Sequence, residues 1–390
     1  MRINAITRLT TPEYRQRRDF SASCRGLLLI KRGKAAEHGG TLTVQLTKTV
    51  GILVDPECLA HDPGDGHPES PERLQVLIDL LRTFSIQQLP MKVLFGKLAS
   101  EEEILRAHTR QHFERIRATA GLTVRLDADT VACPKSFHCA MRAAGGAIAA
   151  VDAVIKGEVQ TAMAIVRPPG HHAGPEEAMG FCLFNNVAIA AQHARAVHGL
   201  SRIAIVDFDV HHGNGTQAIF NRDPHVLFIS THQARLFPGS GDAGDMGEGA
   251  GLGQSINIPL SAEHGDAEYD AIYGGLVSRM LEQFMPELIL ISAGYDIAET
   301  DPLGGMSVTY EGFARIVGHL VNSADLLCKG RVVAVLEGGY SASGLETGVT
   351  ATLEALSGVV RVDDPRGPLV RLPLGEAARH LHLYREFFDI

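Results

Sequence analysis

The chain of 390 residues has no tryptophan, and its six cysteines (Cys24, Cys58, Cys133, Cys139, Cys182, Cys328) form no CxxC pair and no framework spacing. That pattern excludes a disulfide-stapled scaffold and fits reduced thiols in an intracellular protein. No uninterrupted apolar stretch approaches the roughly 20 residues needed to span a membrane, which predicts no membrane partner. The formal net charge of −9 gives no sign of a nucleic-acid-binding surface, and a mildly acidic chain would attract a cationic partner instead. After residue 48 there is no internal repeat and no Pro/Ser-rich linker. What the chain has is an ordinary globular composition, 45% hydrophobic and 21% charged, with 41 glycines that favour many tight strand-to-helix loops.

The first residues differ. Between Met1 and Lys34 there are nine Arg/Lys against only Glu13 and Asp19, with no apolar core long enough for a secretory signal. Residues 1–47 are expected to be a basic N-terminal extension: poorly ordered, translated from a start assigned too far upstream, or a targeting segment. Residues 48–390 are expected to form a single catalytic domain, cytoplasmic or, through the basic segment, directed to an organelle. A homo-oligomer is left open.

Short β-branched runs alternate with helix-period segments. Strands are predicted at 50–54, 162–166, 202–206, 226–230, 256–258, 288–292 and 332–336. Helices are predicted at 72–84, 136–156, 184–197, 267–284, 310–327 and 344–356. Alternation of this kind means crossover connections and a mostly parallel central sheet between two helical layers, an α/β/α fold. Ligands bind such sheets beyond the carboxyl ends of the strands. Five of those ends carry polar or glycine-rich sequence: 167–172, 207–212, 230–241, 293–296 and 337–340.

The densest of them reads Val206-Asp207-Phe208-Asp209-Val210-His211-His212-Gly213-Asn214-Gly215. Asp207, Asp209 and His211 fall at every second position after an apolar run, so a continuing strand would send them to one side. Burying such a cluster is expensive without a compensating cation. Asp209 and His211, with Asp296 at another strand end, make a two-carboxylate, one-imidazole set that leaves coordination positions for water and substrate. That set suits Zn²⁺ and would also accept Fe²⁺, Co²⁺ or Mn²⁺.

His171-His172 follow Arg167-Pro168-Pro169-Gly170, a turned loop able to aim two imidazoles into a cleft. A neutral histidine there could act as general base and then acid, with Asp207 and Asn214 as partners that fix its tautomer. Glu337-Gly338-Gly339-Tyr340 brings close backbone and a phenol that could serve a developing oxyanion. Phe181 and Phe237 read either as rim packing or as two rings flanking a narrow slot.

Together with His67-Pro68-Glu69-Ser70-Pro71-Glu72-Arg73-Leu74 and 180–186, these motifs resemble the histone deacetylase superfamily over residues 50–360. The class II branch, with its bacterial deacetylase-like amidohydrolases, is the nearest in pattern, because Asn214 stands where class I enzymes carry aspartate and Glu337 precedes Gly-Gly-Tyr. The resemblance implies the arginase-like α/β fold and Zn²⁺-dependent amide hydrolysis on an acylated lysine or a small acylated amine. It makes Asp209, His211 and Asp296 the zinc ligands, His172 the base and acid, and His171 with Asp207 its electrostatic partner. Tyr340 would polarise the carbonyl. Gly180, Phe181 and Phe237 would line the substrate tunnel with Leu303 at its mouth, and Arg73 an inner pocket. Asp207, Asp209, His211, Ser230 and Thr231 would hold a structural K⁺.

Two other activities and one non-enzymatic role compete with this reading. An acetylpolyamine deacetylase resembles it throughout, but the eukaryotic enzyme has Glu where Leu303 stands. A binuclear manganese ureohydrolase needs carboxylates that Phe208, Val210 and His212 do not supply. An inactive acyl-lysine-binding protein would have lost the catalytic Tyr or His, whereas Tyr340, His171 and His172 are all present.

Overall fold

The computed structural model describes residues 47–362 and 375–390; the predicted basic extension therefore lies outside the described residues, apart from its last position. The described residues form one compact unit. Its strands are β1 (Val50–Val54), β2 (Met91–Val93), β3 (Val124–Arg125), β4 (Val131–Ala132), β5 (Thr161–Ile165), β6 (Ile203–Asp207), β7 (Val226–Gln233), β8 (Ser255–Leu260), β9 (Leu288–Ala293) and β10 (Val332–Leu336). Eight of them build a parallel sheet in the order β2-β1-β5-β10-β9-β6-β7-β8, while β3 and β4 pair antiparallel apart from it.

The central strands are apolar almost throughout because both faces of the sheet are covered. Side-chain alternation divides each strand between two cores. Ala204 and Val206, Ile289 and Ile291, and Val332, Ala334 and Leu336 enter one of them. Ile203 and Ile205, Leu288 and Leu290, and Val333 and Val335 enter the other. Helices Pro71–Leu80, Tyr310–Leu327 and Ala342–Ser357 cover the first face. Helices Ser136–Ile155 and Asn186–His198 cover the second. By length and composition Ser136–Ile155 could cross a membrane, but it is mostly buried in this second core.

Some local expectations shift. The helix expected over 72–84 starts with Pro71 after Ser70 and stops at Leu80, and a separate turn of helix follows at Phe84–Gln87. The expected 267–284 helix is interrupted by a π turn, Ile272–Val277, whose six residues are all buried. β7 runs on to Gln233 because Thr231, His232 and Gln233 find partners in β8. The edge strand β2, only three residues long, is held by its pairing with β1 and has no periodicity of its own.

Candidate active site

β6 ends at Asp207, and the chain then turns, so the two-residue alternation stops there. Asp207 turns to the side: its Oδ2 lies 3.0 Å from His171 Nδ1, and its Oδ1 accepts from the Asp209 backbone N–H at 3.0 Å. Asp209 and His211 instead meet Asp296, which follows β9. His211 Nδ1 stands 3.0 Å from Asp209 Oδ1 and 3.2 Å from Asp296 Oδ2. The three ligand atoms lie within 4.8 Å of one another, and all three residues are buried.

Backbone donors orient the carboxylates. Gly338 N–H donates to Asp209 Oδ2 and Val210 N–H to Asp296 Oδ1, each at 2.8 Å. Glycine is required for that approach: a Cβ at Gly294 would sit 2.1 Å from Asp209 Oδ2, and one at Gly338 2.1 Å from Asp296 Oδ2.

The charge balance of this trio fits a cation. Burial opposes an imidazolium at His211, yet its hydrogen bond to Asp209 and the adjacent Asp296 carboxylate raise it to about 10. Burial and the neighbouring Asp209 charge push Asp296 up to about 7. Asp296 Oδ2 is buried without a hydrogen-bonding partner, its 3.2 Å approach to His211 lacking the required geometry. An acceptor stranded in that way is costly unless a positive charge meets it. Two carboxylates and an imidazole, one oxygen unsatisfied, are a donor set that a divalent cation fits by displacing the shared proton.

The two histidines beside the trio are held in different states. His172 Nδ1 lies 2.7 Å from Asn214 Oδ1, while the Asn214 amide nitrogen points to Met179 Sδ at 3.4 Å. This assignment puts the proton on Nδ1 and leaves Nε2 with a free lone pair. Burial and then the charges of His171 and His211 hold His172 far below the usual imidazole range, so it is neutral. Burial also opposes charge on His171, but Asp209 and Asp207 prevail and raise it to about 10.

A cavity of about 290 Å³ opens onto these groups, lined by Pro68, Asp129, His172, Gly180, Phe181, His211, Leu236, Phe237, Leu303 and Tyr340. Both phenylalanines of the sequence motifs, Phe181 and Phe237, stand in its wall. Phe181 packs edge-on to Tyr340 at 5.8 Å between ring centres, and Phe237 edge-on to His172 at 5.1 Å. Enclosure pushes the Tyr340 phenol well above its ordinary value, so it remains a donor.

Arg73 lies behind this cavity rather than in its wall. Its guanidinium carbon stands 4.8 Å over the Tyr340 ring, and it donates to Gly339 O and Glu337 O, each at 2.6 Å. Ser230 and Thr231 also stay out of the cavity. Ser230 Oγ pairs with His232 Nδ1 and Thr231 Oγ1 with Tyr273 OH, both at 2.9 Å, with Thr231 Oγ1 3.5 Å from Asp207 O.

Several residues that position this site have no role in the sequence motifs. Arg167 is fully buried and forks onto Glu69, which also receives Arg73 at 3.0 Å and His61 at 3.1 Å. An arginine directly after an apolar strand was the available signal. Glu337 Oε2 accepts from Gly170 N–H (2.6 Å) and His171 N–H (3.0 Å), and Oε1 from Ser292 Oγ–H (2.9 Å), tying the histidine loop to β9 and β10. Asp301 accepts from the N–H groups of Tyr340 and Ser341 at 2.6 and 3.0 Å. Asp129 reaches the cavity from a polar loop that carried no signal.

The histone deacetylase domain matches residues 67–356. The chain belongs to the histone deacetylase family. It is 42% identical to the polyamine deacetylase HDAC10 of Homo sapiens over 83% of this chain and 48% of that protein, so it spans about half of that relative's length. It is 40% identical to the histone deacetylase-like amidohydrolase of Pseudomonas aeruginosa over 85% of this chain and 87% of the other. Among solved structures, the HDA15 HD domain is similar with a TM-score of 0.80 and 34% identity, covering 88% of this chain and 96% of that one. The fold is thus the deacetylase-like α/β architecture the motifs implied.

Proposed function

We propose that this family member hydrolyses the amide of an acylated amine, as a Zn²⁺-dependent deacylase acting on acyl-lysine side chains or small acylated amines. The observation that carries the reading is the buried trio Asp209, His211 and Asp296, with one unsatisfied carboxylate oxygen, beside a neutral His172. A Zn²⁺ held by these three residues would supply a Lewis acid for the carbonyl and acidify water at neutral pH. Fe²⁺ or Co²⁺ would serve the same donor set.

His172 Nε2 takes a proton from the attacking water while Nδ1–H stays on Asn214, and then returns that proton to the leaving amine. The Tyr340 hydroxyl donates to the oxyanion as the carbonyl becomes tetrahedral. His171, charged against Asp207, adds positive potential at the same place. Phe181 and Phe237 hold an uncharged aliphatic chain between them and keep water out. A structural K⁺ is proposed beside Asp207, Asp209 and His211, where the Thr231 hydroxyl lies near the Asp207 carbonyl and Ser230 is the strand partner of Asp207.

An acetylpolyamine is the second substrate class, favoured by the acidic residue Asp129 in the cavity lining; Leu303 at the same lining offers no counter-charge. Metal-replete protein assayed on acetyl-lysine peptides and N-acetylputrescine separates the two classes. Tyr340→Phe is expected to lower kcat by roughly 10²- to 10³-fold. Cleavage of no acyl amide, or undiminished activity without the phenol, refutes the mechanism.

A further inference from the structure

Among the described residues, a second group of side chains brings metal-ligating atoms to one point, on the helical layer away from the cavity. Asp152 belongs to helix Ser136–Ile155, and His193 and His198 to helix Asn186–His198. His193 Nε2 and His198 Nε2 lie 2.8 and 2.7 Å from the same oxygen, Asp152 Oδ1. Their rings are 5.6 Å apart and inclined by 68°, so both nitrogens face that oxygen from different directions. Imidazole nitrogen about 3 Å from carboxylate oxygen is also the arrangement of His211 with Asp209 and Asp296. We propose that Asp152, His193 and His198 form a second transition-metal site that clamps these two helices together.

Neighbouring side chains orient this set. Lys156 Nζ holds Asp152 Oδ2 at 2.9 Å, which turns Oδ1 toward the imidazoles. His193 Nδ1 faces Glu103 Oε1 at 3.6 Å, an acceptor for the proton that Nδ1 carries when Nε2 is a ligand. Arg106 Nη1, now 3.2 Å from that Nδ1, must give way, and its Nη2 already has Glu102 at 3.0 Å. The nearby Arg106 and Lys156 charges make the site weaker than the buried trio.

His193 is 4% exposed, whereas the side chains of His198 and Asp152 are 12% and 25% exposed, leaving one open side for entry and for water as a further ligand. Burial, the largest influence, lowers His193, which keeps its ring neutral and available to a cation. Burial opposes charge on Asp152, but hydrogen bonds from His198, Lys156 and His193 hold it at about 2. Two imidazoles and one carboxylate select Zn²⁺, Cu²⁺ or Ni²⁺ over Mg²⁺ or Ca²⁺.

The test is equilibrium dialysis of chelator-stripped full-length protein against Zn²⁺, with metal analysis, and against Co²⁺ with visible absorption. Wild type is expected to hold one equivalent more than either His198→Ala or Asp152→Asn, with acyl-amide hydrolysis unchanged in both. Glu103→Gln is expected to weaken that extra equivalent by roughly tenfold. Mg²⁺ should not compete. Equal stoichiometry in wild type and variants, or an extra equivalent that survives either substitution, overturns the site. Retained hydrolysis by the variants shows that they fold, independently of the outcome.

Discussion

His108 links acid stability to the placement of the loop that carries His171 and His172. It is 4% exposed and bonded at both ring nitrogens: Nδ1 lies 2.8 Å from Gly174 O, and Nε2 accepts from Asn185 N–H at 2.8 Å. Asn185 in turn caps helix Asn186–His198 through Ala188 N–H and donates to Ala173 O, just after His171-His172. Protonating Nε2 would set two donors against each other at that cap. Burial first, then the charge of His112, lowers His108 to about 3. A folded value below the unfolded 6.5 means that the unfolded chain takes up the proton first as pH falls. The stabilisation is therefore complete above about pH 6.5 and is lost progressively toward pH 3. Each pH unit in that window is worth about 1.4 kcal/mol, so about 2 kcal/mol disappears between pH 6.5 and pH 5. Urea unfolding followed by circular dichroism at pH 7 and pH 5, for wild type and His108→Gln, measures it. Wild type should lose about 2 kcal/mol more than the variant; an equal loss in both refutes the reasoning. The comparison with the variant removes the matching contributions of His212 and His232, which burial lowers to about 4 and about 3.

Two further substitutions probe the frame. Glu69→Gln leaves Arg167 and Arg73 buried beside a neutral amide, and unfolding in denaturant should show a loss of about 3–5 kcal/mol; a loss within error of zero contradicts the network's role. Gly338→Ala places a methyl group 2.1 Å from Asp296 Oδ2 and 2.5 Å from Asp209 Oδ2, so metal analysis should show the trio's equivalent lost or sharply weakened. Unchanged metal binding would mean that the carboxylates are not ligands in the arrangement described.

The architecture was legible because apolar runs such as Leu288–Ser292 and Val332–Leu336 have one explanation, strands covered on both faces, and polar sequence follows directly at their carboxyl ends. The convergence of Asp209, His211 and Asp296 was legible for the same reason, with Asp209 and His211 after one such run and Asp296 after another. The different orientation of Asp207 was not evident from alternation, since nothing in the residue types marks the point where β6 gives way to a turn. Pairings between distant segments were less accessible still. Glu69 meets Arg167 across 98 positions, and Asp152 meets His193 across 41. Both depend on which helices and loops the sheet brings together. The π turn at Ile272–Val277 keeps the apolar character of a helix, so hydrophobic patterning passes over it.

The most direct test of the central claim is acyl-amide hydrolysis by the full-length protein before and after chelation, with Zn²⁺ restored stepwise to wild type and to Asp296→Asn. The account predicts no turnover in the stripped protein, recovery of wild type as Zn²⁺ is restored, and no recovery of the variant. Full activity after metal removal, or equal recovery of Asp296→Asn, would contradict it.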